Sequence, residues 1–91
     1  MDINNFIPKC KELIVDYHNK TIREFDDNII DESDVYVVWK SKVLHHAKAL
    51  LSTNQPDGMY YEITYNGIGD EIYFDAYVKM ENRLIDVKGD E

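Results

Sequence analysis

Phe6, Cys10, Leu13, Ile14, Tyr17, Thr21 and Phe25 recur at three- and four-residue steps, with Lys9, Lys11, Glu12, Asp16, Lys20 and Arg23 between them. That spacing gathers the first set on one side of a helix and predicts an amphipathic helix over residues 6–25. Asn4 or Asn5 can cap it, and Pro8 is tolerated because first-turn residues donate no intrahelical hydrogen bond. From Val35 the period changes to two. Val35, Val37 and Trp39 alternate with Tyr36, Val38 and Lys40, which predicts a strand to about Leu44, a turn near His45-His46 and a second strand over 47–53. A helix over 34–52 is the alternative: Ser33 could cap it, and Val35, Val38, Trp39, Val43, Ala47 and Leu50 also fall on a helical stripe.

Gln55-Pro56-Asp57-Gly58 has the residue order of a tight turn, with proline presetting φ at the second position. The runs Met59–Tyr65 and Glu71–Met80 then alternate on either side of Asn66-Gly67 and Gly69-Asp70, which predicts a hairpin. Its register follows from the pattern. Pairing Tyr65 with Ile72 places Met59, Tyr61, Ile63 and Tyr65 on one face with Ile72, Phe74, Ala76 and Val78, whereas a one-residue slip mixes apolar and polar side chains on both faces. The fold expected is α+β: an N-terminal amphipathic helix on one face of a three- to four-stranded antiparallel meander sheet. Residues 26–34 form an acidic connector, 35–87 are mainly β, and 88–91 are a tail, all within one domain of 91 residues.

The same register fixes the other face of the hairpin, where Tyr60 meets Tyr77, Glu62 meets Asp75 and Thr64 meets Tyr73. Two carboxylates directly opposed on a sheet repel unless a cation lies near, and Lys79, with Lys40 or Lys42 from a neighbouring strand, could supply one. The plain reading is a solvated face with internal ion pairs. The functional reading is a recognition patch made of Tyr60, Glu62, Tyr73, Asp75 and Tyr77, since tyrosines give large contact area at low entropic cost and paired acids attract a lysine or arginine. A second candidate patch is the connector, where Asp26, Asp27, Asp31 and Glu32 lie among six acids in the eleven residues Glu24–Asp34. Acids after a helix C-terminus oppose its dipole, so they give the helix no local support; a solvated connector is again the plain reading.

A formal charge of −8 argues against phosphate-backbone binding, which needs clustered lysine and arginine. Residues 35–53 carry three lysines and no acid, a basic island in an acidic chain. One cysteine and three histidines cannot furnish a zinc site at usable spacings, the acidic connector lacks the glycine and terminal glutamate of a calcium loop, and neither a metal nor a cofactor is expected. Cys10 and Trp39 read as core residues, and adjacent His45 and His46 would point to opposite faces of a strand. No run approaches a membrane span or a secretory leader, which suits a cytoplasmic protein.

Val35-Tyr36-Val37-Val38-Trp39, Lys48-Ala49-Leu50-Leu51-Ser52-Thr53, Asp57-Gly58-Met59-Tyr60-Tyr61-Glu62, Tyr65-Asn66-Gly67 and Asp75-Ala76-Tyr77-Val78-Lys79 together resemble a family of small uncharacterised proteins from phages and prophages of Gram-positive bacteria. The resemblance spans Asp34 to Ile85, with Ile68-Gly69 standing where the family pattern has Asp-Lys. It implies a phage-type protein working in the host cytoplasm without catalysing a reaction. Such a protein would bind and inhibit or modulate a host protein with a basic surface, for example a nucleic-acid-binding or defence enzyme met by an acidic DNA mimic or anti-CRISPR-like protein. An assembly role as a homo-oligomer, through an edge strand or the tyrosine face, is the first alternative. A carboxylate-based metal-dependent enzyme at Glu62 and Asp75 is the second.

Overall fold

The computed structural model of the chain describes residues 1–22 and 28–88. A 3-10 turn over Ile3–Asn5 leads into α1 (Phe6–Ile22), and Pro8 lies in the first turn of that helix. The Asp2 carboxylate accepts the Asn4 N–H, so capping falls to Asp2 and not to Asn4 or Asn5. The expected continuation of the helix to residue 25 lies outside the described residues, as does 89–91 of the expected tail.

Phe6, Cys10, Ile14 and His18 are the buried positions among the described side chains of α1, while Tyr17 is 40% exposed at the margin. His18 is tolerated inside because its Nε2 lies 3.1 Å from the Asn28 carbonyl, a hydrogen bond that satisfies it, and Nδ1 lies 3.8 Å from the Asp57 carboxylate. One turn of side chain and backbone then ties the following segment to the helix. The Asn19 amide donates to the Ile30 carbonyl and accepts the Ile30 N–H, both at 2.9 Å, which sets Ile30 into the core.

The four strands β1 (Val35–Val43), β2 (His46–Thr53), β3 (Met59–Asn66) and β4 (Glu71–Val78) form an antiparallel meander in the order β1-β2-β3-β4. Residues 35–52 are therefore strands and not a second helix. The reason is pairing on both sides of β2, which sends Ala47, Ala49 and Leu51 under α1 at every second residue. The β3–β4 register is the one expected, with Tyr65 opposite Ile72 and Glu62 opposite Asp75. The core joins Phe6, Cys10, Ile14 and Ile30 to Leu51, Tyr61, Ile63 and Tyr65. Tyr61 meets Tyr17 and Phe74 with ring centroids 5.9 and 5.7 Å away. Ala76 and Val78 are exposed although the register sets them on the helix side, and strand structure stops at Val78 although the Lys79 N–H still bonds the Gly58 carbonyl.

β1 contains a bulge. Val37 pairs with Leu51 and Trp39 with Leu50, leaving Val38 as the extra residue. An inserted residue reverses the facing of everything after it. Trp39, expected in the core, therefore lies on the face away from α1, and Lys40 and Lys42 take the helix side opposite Ala49 and Ala47.

The β1–β2 turn is Leu44-His45, of which only Leu44 has positive φ (56°), a position that glycine fills at lower cost. At the β3–β4 hairpin Gly67 is required for space, since a Cβ there would sit 1.9 Å from the His45 carbonyl oxygen. Replacing Leu44, which is 81% exposed and packs on little, with glycine removes ~1–2 kcal/mol of left-handed strain against ~0.5–1 kcal/mol of added unfolded-state entropy. Leu44→Gly is expected to raise Tm by a few degrees, roughly 2–8 °C, in a thermal melt.

Burial pushes the Cys10 thiol up from 9.0 to about 12, and burial together with the Asp57 carboxylate pushes the Tyr61 phenol up from 10.0 to about 12. Both protons are held more tightly in the folded state, so the stability linked to them is complete below pH 9.0 and is lost as pH rises toward about 12. Denaturant melts at stepped pH should show that decline, and in Cys10→Ala its onset should move from near 9.0 to near 10.0.

Candidate functional site

With α1 on one side of the sheet, the other side has no covering element among the described residues. Strand alternation and the β1 bulge together decide what it shows. Three cross-strand rows run over it: Tyr36–Ser52–Tyr60–Tyr77, Trp39–Leu50–Glu62–Asp75 and Ser41–Lys48–Thr64–Tyr73. Tyr36, Trp39, Tyr73 and Tyr77 are each between 42% and 54% exposed. All five hairpin residues expected to form one patch, Tyr60, Glu62, Tyr73, Asp75 and Tyr77, are brought together here. Tyr36, Trp39 and Leu50 extend the patch and were missed by sequence reasoning, since the extra residue at Val38 leaves no mark in the hydrophobic pattern.

The charges on this face are only partly internal. Lys48 Nζ lies 3.4 Å from Glu62 Oε1. The cation beside the carboxylate pair thus comes from β2 and not from Lys40 or Lys42, because β1 is not the neighbour of β3 and its lysines face the helix side. The Lys79 ammonium sits 5.4 Å above the Tyr60 ring and 3.4 Å from its hydroxyl. The Tyr73 hydroxyl donates to Glu71 at 2.9 Å, a hydrogen bond that raises the phenol above its ordinary range. Asp75 is exposed and makes no hydrogen bond or ion pair with the described residues. The face therefore offers one uncommitted carboxylate, beside a half-committed one, in a field of aromatic rings.

The second expected patch divides. Asp26 and Asp27 lie outside the described residues. Asp31 caps a 3-10 turn over Glu32–Asp34, accepting the Ser33 N–H at 2.9 Å and the Ser33 hydroxyl, while Asp34 accepts the Asp31 N–H. The Ser33 hydrogen bonds hold the Asp31 carboxyl below its usual range. Asp34 also binds the Asn54 side chain at 2.8 Å, fastening the turn to the end of β2. Glu32 alone projects freely, beside Glu12, Asp16 and Ile29 at the outer side of α1.

Other polar residues stand apart from the open face. His45 is in the β1–β2 turn and His46 opens β2. Cys10 is fully buried with its thiol pushed up, the reverse of what a nucleophile needs. Among the described residues no three histidine, cysteine, aspartate or glutamate side chains come close enough to share a metal ion, and no helix is long and apolar enough to cross a membrane.

No curated protein and no solved structure matches the chain. A model of a family of unknown function, DUF6275, matches residues 7–87, from the first turn of α1 to the segment beyond β4, and the chain belongs to that family.

Proposed function

We propose that this is a non-enzymatic binding protein that docks a basic segment of a partner protein on the open face of its sheet. The observation that carries the reading is the composition of that face: four half-exposed aromatic side chains surround the opposed pair Glu62 and Asp75, and Asp75 has no partner among the described residues. An exposed lysine or arginine brought between the two carboxylates would relieve their repulsion, and the rings of Tyr60, Tyr73 and Tyr77 would desolvate it and pack along its stem. The net charge of −8 adds long-range attraction for a basic partner. Glu32 contributes to that field from the helix side of the molecule.

The resemblance to phage and prophage proteins makes a host protein the partner, and a nucleic-acid-binding or defence enzyme supplies the basic surface this face needs. Inhibition would then follow from occupancy of that surface. The carboxylate-enzyme alternative fits less well, because Lys48 already engages Glu62 and no third ligand stands near among the described residues.

Asp75→Lys and the pair Tyr73→Ala with Tyr77→Ala change only exposed side chains, so melting temperature should move little. Each should weaken partner binding by about tenfold or more, the scale of a central interface residue. The measurement is titration calorimetry against a partner captured from host lysate, repeated at raised salt, where the wild-type complex should also weaken. Unchanged affinity in both variants sinks the proposal.

A further inference from the structure

Every residue from Lys79 to Lys88 is exposed, including Leu84 at 93% and Ile85 and Val87 at 66% each. The radius of gyration, 15.7 Å, exceeds the ~12 Å of a compact chain of this length, as an arm leaving the body requires. The family match runs through Val87, so it takes in the arm as well as the folded body. Apolar side chains on an extended arm call for an apolar surface with free backbone groups.

β1 offers both. It is an edge strand, regular from Trp39 to Val43 beyond its bulge. Beneath that stretch lies a cavity of about 340 Å³ lined by Ile3, Phe6, Ile7 and Ala47 with Lys40 and Lys42 at its mouth. In a protein of charge −8, neither lysine has an acidic partner among the described residues. Two β1 edges cannot pair with each other without opposing those lysines, whereas the arm carries an acid, Asp86, between Ile85 and Val87.

We infer that Arg83–Val87 of one copy adds as a fifth strand along Trp39–Val43 of a second copy, giving a reciprocal strand-exchanged dimer. Five residues match five: alternation then sets Leu84 and Asp86 on the cavity side with Lys40 and Lys42, and Ile85 and Val87 on the side of the exposed Trp39 and Val43. The arm cannot do this within its own chain. β4 lies at the opposite edge, so a strand position outside β1 is about 19 Å from Val78 across the sheet alone. The five steps from Val78 to Arg83 span at most roughly 18 Å, and β4 ends level with the start of β1, away from Trp39–Val43. The partner in this pairing is therefore another copy, with the same contact made twice about a two-fold axis. The inference goes beyond the proposed function and uses the β1 edge of the sheet, away from Tyr73 and Tyr77 of β4.

Sedimentation velocity on the full chain over a micromolar to millimolar series should show a monomer–dimer equilibrium. Trp39, the single tryptophan, should shift its emission to the blue as the dimer forms over it. Ile85→Lys with Val87→Lys alters only exposed residues and should remove both signals with circular dichroism unchanged. Lys40→Glu with Lys42→Glu should also give monomers, and adding Asp86→Lys to that variant should restore the dimer. A wild-type monomer at every concentration overturns the inference. So does a dimer indifferent to the Ile85 and Val87 changes, or one lost with them but indifferent to charge reversal at Lys40 and Lys42. Loss of the dimer in Tyr73→Ala with Tyr77→Ala would instead place the contact on the open face and overturn it as well.

Discussion

One helix can screen only one side of a four-stranded sheet, and every other feature of this protein is arranged around that limit. α1 spans seventeen residues and crosses the sheet from β1 to β3, where Ala47, Ala49, Leu51, Tyr61 and Ile63 supply a continuous apolar floor. The small alanines of β2 let the helix approach, and the aromatic residues of β3 and β4 fill the space toward Tyr17. Packing on this side is dense and satisfied: the buried His18 bonds the Asn28 carbonyl, and no buried side-chain polar atom of the described residues lacks a hydrogen bond. What lies on the other side of the same strands is left to meet water or a partner.

A sheet face left open normally carries short polar or charged side chains, because isolated tyrosines and tryptophans there bury nothing. Here the open face carries both kinds. Lys48 and Glu62 form the ion pair expected of a solvated surface, yet Tyr36, Trp39, Tyr73 and Tyr77 surround them. The bulge at Val38 is the device that completes this arrangement. Without it Trp39 would fall under the helix and Lys40 outside, giving a larger core and a blander face. With it, the apolar surface is moved outward and two lysines are moved to the mouth of a cavity. Both consequences bear on binding, one on each side of β1.

The acidic connector shows how charge in a sequence can be spent on local structure. Asp31 and Asp34 close a capping box and hold Asn54, so part of what reads as an acidic patch is the fastening between the helix layer and the sheet. The Asn19–Ile30 pair does the same a few residues earlier. Neither could be foreseen, since each is a contact between residues whose types are common in loops and whose proximity is a product of the fold.

The sequence by itself determined the elements whose period was unambiguous: the helix from Phe6, the β3–β4 hairpin, and its register, because a one-residue slip there would put Ile63 and Phe74 into water. From that register followed the association of Tyr60, Glu62, Tyr73, Asp75 and Tyr77, which the structure places together. Residues 35–52 fitted both a helical and a strand period, so local pattern was insufficient, and hydrogen bonding to β3 decided them. Tertiary structure alone also decided the facing of Trp39, Lys40 and Lys42, since a bulge is a mismatch between two paired strands and has no meaning in one. For the same reason it alone showed that Lys48 neutralises Glu62 and that the arm beyond Val78 leaves from the edge opposite β1.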